Sequence, residues 1–262
     1  MRIDVNGSEV FASTGGKDHK VDQPLVIFLH GSGQSRLSWT QQVRTYSYWG
    51  YNVLAPDFPG HGLSAGAPLT SIEDMADWVI ALMDAIKAPE AIIVGHSQGC
   101  LVALELGSRY ADRVSKIAFV AGSYAVPVND HLVNLAETKE PKAISAMMSW
   151  GSGAFGHSFD NTVPGASLIG AGKQLMASNA DGALAADLNA CNAYKSGLEA
   201  AAKITCPTLC ILAEKDKMTS LKGGLKLAEA LADNKLVIVK GVGHMLPPEN
   251  PREVNEALGA FL

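Results

Sequence analysis

Ala91-Ile92-Ile93-Val94 is a short, unbroken apolar run, and only a few residues separate it from a helical pattern at Leu101, Val102, Leu104, Glu105 and Leu106. A strand apolar on both faces belongs inside a sheet, and a helix directly after it carries the chain back toward a parallel neighbour. The join is Gly95-His96-Ser97-Gln98-Gly99, a serine with a glycine two residues to either side. The turn is so tight that a Cβ at either glycine would collide with the adjoining strand or helix. A join of this kind lifts the Ser97 hydroxyl above the sheet and points the Gln98 N–H the same way. The plain alternative is a glycine-rich turn with a solvated serine, so the rest of the chain must decide.

Strand patterns recur at 25–29, 52–55, 91–94, 116–121, 207–213 and 235–240, and helical ones at 37–48, 71–87, 98–109, 221–231 and 251–262. Such alternation predicts an α/β fold: a mostly parallel sheet with helices on both faces. Ile3-Asp4-Val5 and Glu9-Val10-Phe11-Ala12 flank Asn6-Gly7, which predicts an antiparallel hairpin in front of it. Ile72, Met75, Ala76, Val79, Leu82, Met83 and Ile86 mark one helix face, with Thr70 and Glu73 at capping-box spacing. Asn250-Pro251-Arg252-Glu253 opens the last helix, with Asn250 as its cap. Residues 127–203 break the alternation. They are rich in Gly, Ala, Ser and Asn, and too long for a structureless loop. Short helices are expected within Asp130 to Trp150 and Gly172 to Gly197. The core is then 1–126 with 204–262, and 127–203 an inserted helical cap.

Three further segments end strand patterns: His30-Gly31-Ser32-Gly33, Ala213-Glu214-Lys215-Asp216 and Gly241-Val242-Gly243-His244. Serine, aspartate and histidine therefore follow in that order, each after an apolar run. With Asp57-Phe58-Pro59-Gly60-His61-Gly62-Leu63-Ser64, these segments make the chain resemble the alpha/beta-hydrolase superfamily over nearly its whole length. The resemblance is specific for the superfamily and unspecific for the substrate.

Within that resemblance Ser97 is the expected nucleophile, His244 its base and Asp216 the carboxylate that orients the imidazole. Glu214 is the rival acid, expected to be solvated or structural. The oxyanion donors would be the backbone N–H groups of Gln98 and, by resemblance, Ser32. Gly31 and Gly33 let the backbone approach a substrate, and Trp150 and Phe155 are the lid residues expected to touch it. Asp57, His61 and His30 match scaffold positions. Asp181 and Asp187, inside the lid, read as surface charges. Met147, Met148, Phe159, Leu168, Met176, Tyr124 and Tyr194 suit either an apolar pocket or the lid's own core.

Composition narrows the partners. A net charge of −5 leaves no basic stripe for nucleic acid, and no apolar window reaches membrane-spanning length. Cys100, Cys191, Cys206 and Cys210 lack zinc-site spacing, and His19, His131 and His157 have no partners at ligand spacing, so no metal or other cofactor is expected and the thiols read as free. The expectation is a cytoplasmic serine esterase for small to medium uncharged carboxylic esters, working through an acyl-enzyme. Carbon–carbon bond hydrolase, thioesterase, amidase and perhydrolase chemistry use the same triad, and a slow-turnover ligand receptor shares the fold.

Overall fold

The computed structural model describes residues 1–20 and 22–262. The chain opens with β1 (Arg2–Val5) and β2 (Ser8–Ser13), an antiparallel hairpin whose turn residues Asn6 and Gly7 both have positive φ. There follow β3 (Leu25–Leu29), α1 (Thr40–Tyr48), β4 (Asn52–Pro56), α2 (Ile72–Ala85), β5 (Ala91–His96), α3 (Gln98–Arg109) and β6 (Val114–Val120). Five helices come next: α4 (Asp130–Thr138), α5 (Glu140–Gly151), α6 (Leu168–Met176), α7 (Ala183–Ala193) and α8 (Gly197–Lys203). The chain ends with β7 (Thr208–Ala213), α9 (Leu221–Ala230), β8 (Asn234–Val239), α10 (Leu246–Glu249) and α11 (Pro251–Gly259).

The sheet has eight strands in the order β1-β2-β4-β3-β5-β6-β7-β8, parallel from β4 to β8. Its continuous apolar strands serve two cores at once, because alternate side chains face opposite ways. Ile27, Leu29, Leu54, Ile93, Ile117 and Phe119 meet Met75, Leu82, Leu101 and Leu104 on one face. Val26, Phe28, Val53, Val94, Val120 and Ile211 meet Trp39, Tyr46, Val254 and Leu258 on the other. A third cluster lies inside the insert, where Ile144, Met147, Met148, Met176, Leu184 and Leu188 pack around Met245.

Some boundaries differ from the sequence reading. The cap of α2 is Ser71, whose hydroxyl accepts the Asp74 N–H at 3.0 Å, so the Thr70–Glu73 box does not form. The 37–48 pattern divides into a 3₁₀ turn, Arg36–Trp39, and α1. Asp130 to Trp150 breaks into two helices at Lys139, just ahead of Pro141. The short α10, with two prolines, gave no periodic signal at all. Asn250 does cap α11, accepting the Glu253 N–H at 3.2 Å. The insert is also less separate than its sequence suggests: Ala190, Cys191, Ala200 and Ala201, from α7 and α8, lie in the main core.

Candidate active site

β5 delivers its chain to the carboxyl edge of the sheet, and Ser97 turns it straight into α3. Ser97 has φ 54° and ψ −115°, a strained conformation for a residue with a side chain. The strain is enforced by packing: a Cβ on Gly99 would lie 2.5 Å from the Leu29 carbonyl oxygen, and one on Gly95 would drive into the Gly99 carbonyl. Beneath the turn, the Cys100 thiol donates to Gly95 O at 3.1 Å. Burial pushes that thiol's pKa far up, leaving it inert beside the serine.

Three side chains from distant parts of the sequence line up. Ser97 Oγ is 2.9 Å from His244 Nε2, and His244 Nδ1 is 2.9 Å from Asp216 Oδ2. All three are buried. Asp216 Oδ1 accepts the N–H groups of Met218 and Thr219, both at 2.8 Å, and Oδ2 lies 2.8 Å from the Thr219 hydroxyl. Burial opposes charge on Asp216, but His244 and these donors outweigh it and hold the pKa below the usual carboxylate range. Such a charge stabilises an imidazolium on His244. Glu214 faces elsewhere, accepting the Gly241 N–H at 3.0 Å.

The backbone of His244 is fixed on both sides. Its N–H donates to Gly151 O at 2.7 Å, and its carbonyl lies 2.9 Å from His96 Nε2. Burial and the adjacent His244 pull the His96 pKa down to about 3, so His96 is neutral and Nε2 is the donor.

Ser32 and Gln98, both buried, flank Ser97 on the β3 loop and at the start of α3. Among the hydrogen bonds of the described residues, none uses either backbone N–H. The Gly33 N–H, by contrast, is taken by Asp187 Oδ2 at 2.6 Å. Asp187 therefore corrects the sequence reading. It is no surface charge: it is 1% exposed, and the same Oδ2 lies 2.9 Å from His61 Nε2. Burial disfavours both charges, yet each stabilises the other, so the His61 pKa rises and the Asp187 pKa falls. Helix α7 is thereby tied to the loop after β3 and to the loop after β4. His30 stays uncharged, its pKa lowered to about 4 by burial and by His61. Asp57 holds its loop by accepting the Leu63 N–H and pairing with Arg36.

Ser97 and His244 open onto a cavity of about 330 Å³ roofed by the insert, with Val126, Leu132, Met147, Trp150, Leu188 and Met218 among its walls. Ser32 and Gln34 form its floor beside the serine, and Lys217 is the one cation on its lining. Trp150 thus sits on this cavity. Phe155 does not: it lines a separate surface hollow with Asp160, Asn161 and Glu249. Gly31 lies under the elbow, where a Cβ would come 3.1 Å from Ser97 Cβ. Met147, Met148 and Met176 belong to the insert's core, and Tyr194 is buried in the main core with its hydroxyl on Glu105. Sequence reasoning missed Thr219, Asp187 and Glu249 as parts of this neighbourhood: Asp187 and Glu249 act through His61 and Gly153, far away in the chain, and Thr219 meets Asp216 only once their loop is folded. No cluster of metal-ligating side chains occurs among the described residues, and no helix there is long and apolar enough to cross a membrane.

A family model described as "Alpha/beta hydrolase family" matches residues 26–257. The chain is 23% identical over 253 residues to the (E)-2-((N-methylformamido)methylene)succinate hydrolase of Acinetobacter baylyi, covering 92% of this chain and 90% of that one. It is 24% identical over 269 residues to 3-oxoadipate enol-lactonase 1 of the same species, covering 100% and 92%. Among solved structures, an enol-lactonase from Burkholderia xenovorans LB400 superposes with a TM-score of 0.89 at 23% identity, over 100% of this chain and 99% of the other. At that identity the superposition speaks for the fold.

Proposed function

The chain belongs to the alpha/beta hydrolase family, and from that premise we propose that it is a serine hydrolase of small to medium uncharged carboxylic esters, lactones included. The observation that carries the reading is the unbroken Ser97–His244–Asp216 relay, with both links at 2.9 Å, opening onto an apolar cavity.

His244 Nε2 takes the proton from Ser97 Oγ as the oxygen attacks the ester carbonyl. Asp216 keeps the other imidazole proton on Nδ1 and offsets the charge that develops on the ring. The free N–H groups of Ser32 and Gln98 receive the oxyanion; one such donor is worth about 3–4 kcal/mol. The imidazolium then protonates the leaving alcohol. A water, deprotonated by His244, cleaves the acyl-enzyme and restores the serine. Trp150 and Met147 would bound the apolar arm of the substrate, and the cavity's apolar walls favour an uncharged one. The enol-lactonases among the similar proteins add weight to the ester bond, a lactone being a cyclic ester. Four unpaired cysteines suit a reducing compartment, and we place the protein in the cytoplasm.

The test is Ser97→Ala assayed on p-nitrophenyl butyrate and on a small γ-lactone. Wild-type turnover above about 1 s⁻¹ is expected, with a loss of at least about 10³-fold in the variant. Equal turnover by the two proteins would refute the scheme. A single acyl burst followed by silence would point to a receptor instead.

A further inference from the structure

The loop that carries His244 meets the insert backbone to backbone. A Cβ on Gly153 would lie 2.5 Å from the Gly243 nitrogen. Glu249, 1% exposed at the end of α10, spans this junction. Its Oε1 accepts the Gly153 N–H at 2.9 Å, and its Oε2 accepts the Gly243 N–H at 3.0 Å. One carboxylate therefore grips the residue just before His244 and a residue just past the end of α5. The His244 N–H bond to Gly151 O closes the same seam from the other side. Among the described residues no lysine or arginine pairs with Glu249; its partners are these two peptides. A buried carboxylate with no cation is costly unless its hydrogen bonds are well made. Here every one of them falls on the seam between the base and the lid.

We propose that Glu249 is a positioning residue for His244, fastening the histidine loop to the lid so that the imidazole holds its place between Ser97 and Asp216 only while the lid is seated. The inference rests on the reading of His244 as the base. Two effects follow from the geometry. An amide in place of the carboxylate would turn an NH₂ toward one of the two N–H donors, so half of the clamp would be lost. It would also remove a negative charge that faces His244. The ionisable groups bearing on Glu249 are His244 and Asp216, while His96, with its ring 5.0 Å from that of His244, is neutral. Burial raises the Glu249 pKa, and the Gly243 and Gly153 donors work against that rise.

The experiment compares wild type, Glu249→Gln and Glu249→Asp by three readouts: the rate of Ser97 labelling by a fluorophosphonate across pH, the NMR titration of the His244 ring, and kcat against KM for p-nitrophenyl butyrate. Glu249→Gln is expected to slow labelling about tenfold or more and to lower kcat by a like factor, with KM within about threefold. Its His244 titration should move to lower pH, since a charge favouring the imidazolium is gone. Glu249→Asp, which keeps the charge on a shorter arm, should restore the titration and part of the rate. Should Glu249→Gln fail to fold, Glu249→Asp carries the test through its slower labelling at an unshifted titration. Wild-type labelling rates and an unmoved His244 titration in a folded Glu249→Gln, with thermal stability alone reduced, would overturn the inference. Failure of the wild type to label or turn over would refute the esterase reading, and the His244 titration would still judge Glu249.

Discussion

Ser97 sits in a backbone conformation that costs about 1–3 kcal/mol and holds only because its surroundings leave no other path. Gly99 is one part of that constraint, since any Cβ there lies 2.5 Å from the Leu29 carbonyl oxygen, which is backbone and cannot swing aside. Gly99→Ala is therefore expected to destabilise the fold by about 2–3 kcal/mol and to abolish ester turnover. A urea titration and an activity assay check it, and a variant of wild-type stability and rate would show that the elbow has more room than its geometry allows. This part of the site was legible in the sequence, because glycine spacing around a serine is a local pattern. Thr219 was not legible. Its N–H and hydroxyl brace Asp216, yet a threonine three residues after an aspartate carries no signal until the loop is folded. Phe155 misled for the opposite reason: its chemistry suits a substrate pocket, but its stretch of chain faces Glu249 and Asn161.

The elements were read well where apolar periodicity set them. Strand β3 and helix α3 fall where the pattern put them, and β4 to β8 differ only at their ends. The insert was the hard part. Its glycines, alanines and prolines blur the period, and two of its helices share the main core. Polar, long-range contacts also tie it to the loops after β3 and β4, and the chief example is the Asp187–His61 pair that also holds the Gly33 N–H. This pair makes stability depend on pH in a definite direction. The Asp187 pKa is lowered, so its contribution exists above the unfolded carboxylate range and fades as pH falls through the folded value. The His61 pKa is raised above 6.5, so its contribution is complete below 6.5 and fades as pH rises through the folded value. The tie is strongest between those limits, with the neutral His30 and the Arg36–Asp57 pair beside it. Asp187→Asn should cost about 2–4 kcal/mol near pH 6 and flatten the fall in melting temperature above neutrality. Parallel melting curves against pH for the two proteins would contradict this account.

For the molecule as a whole, the four thiols report on integrity. Cys100, Cys191 and Cys210 are buried, and burial pushes the last two up to about 12; Cys206 is only half-buried. Iodoacetamide at about pH 8 should add one adduct, at Cys206, to the native protein, and four after denaturation, as read by intact mass. Rapid modification of all four in the native state would mean that the two-sided core opens more freely than its packing implies. The same whole-molecule view gives the β6-to-β7 insert a further meaning. These two strands are parallel neighbours, so the sheet keeps its register whatever length of chain is spliced between them. A chimaera that borrowed another roof to accept a different substrate would nevertheless lose the Gly151 carbonyl and the Gly153 amide unless the donor segment restored them. The freedom to retool specificity in this scaffold is therefore bounded by two peptide groups that lie outside the cavity lining.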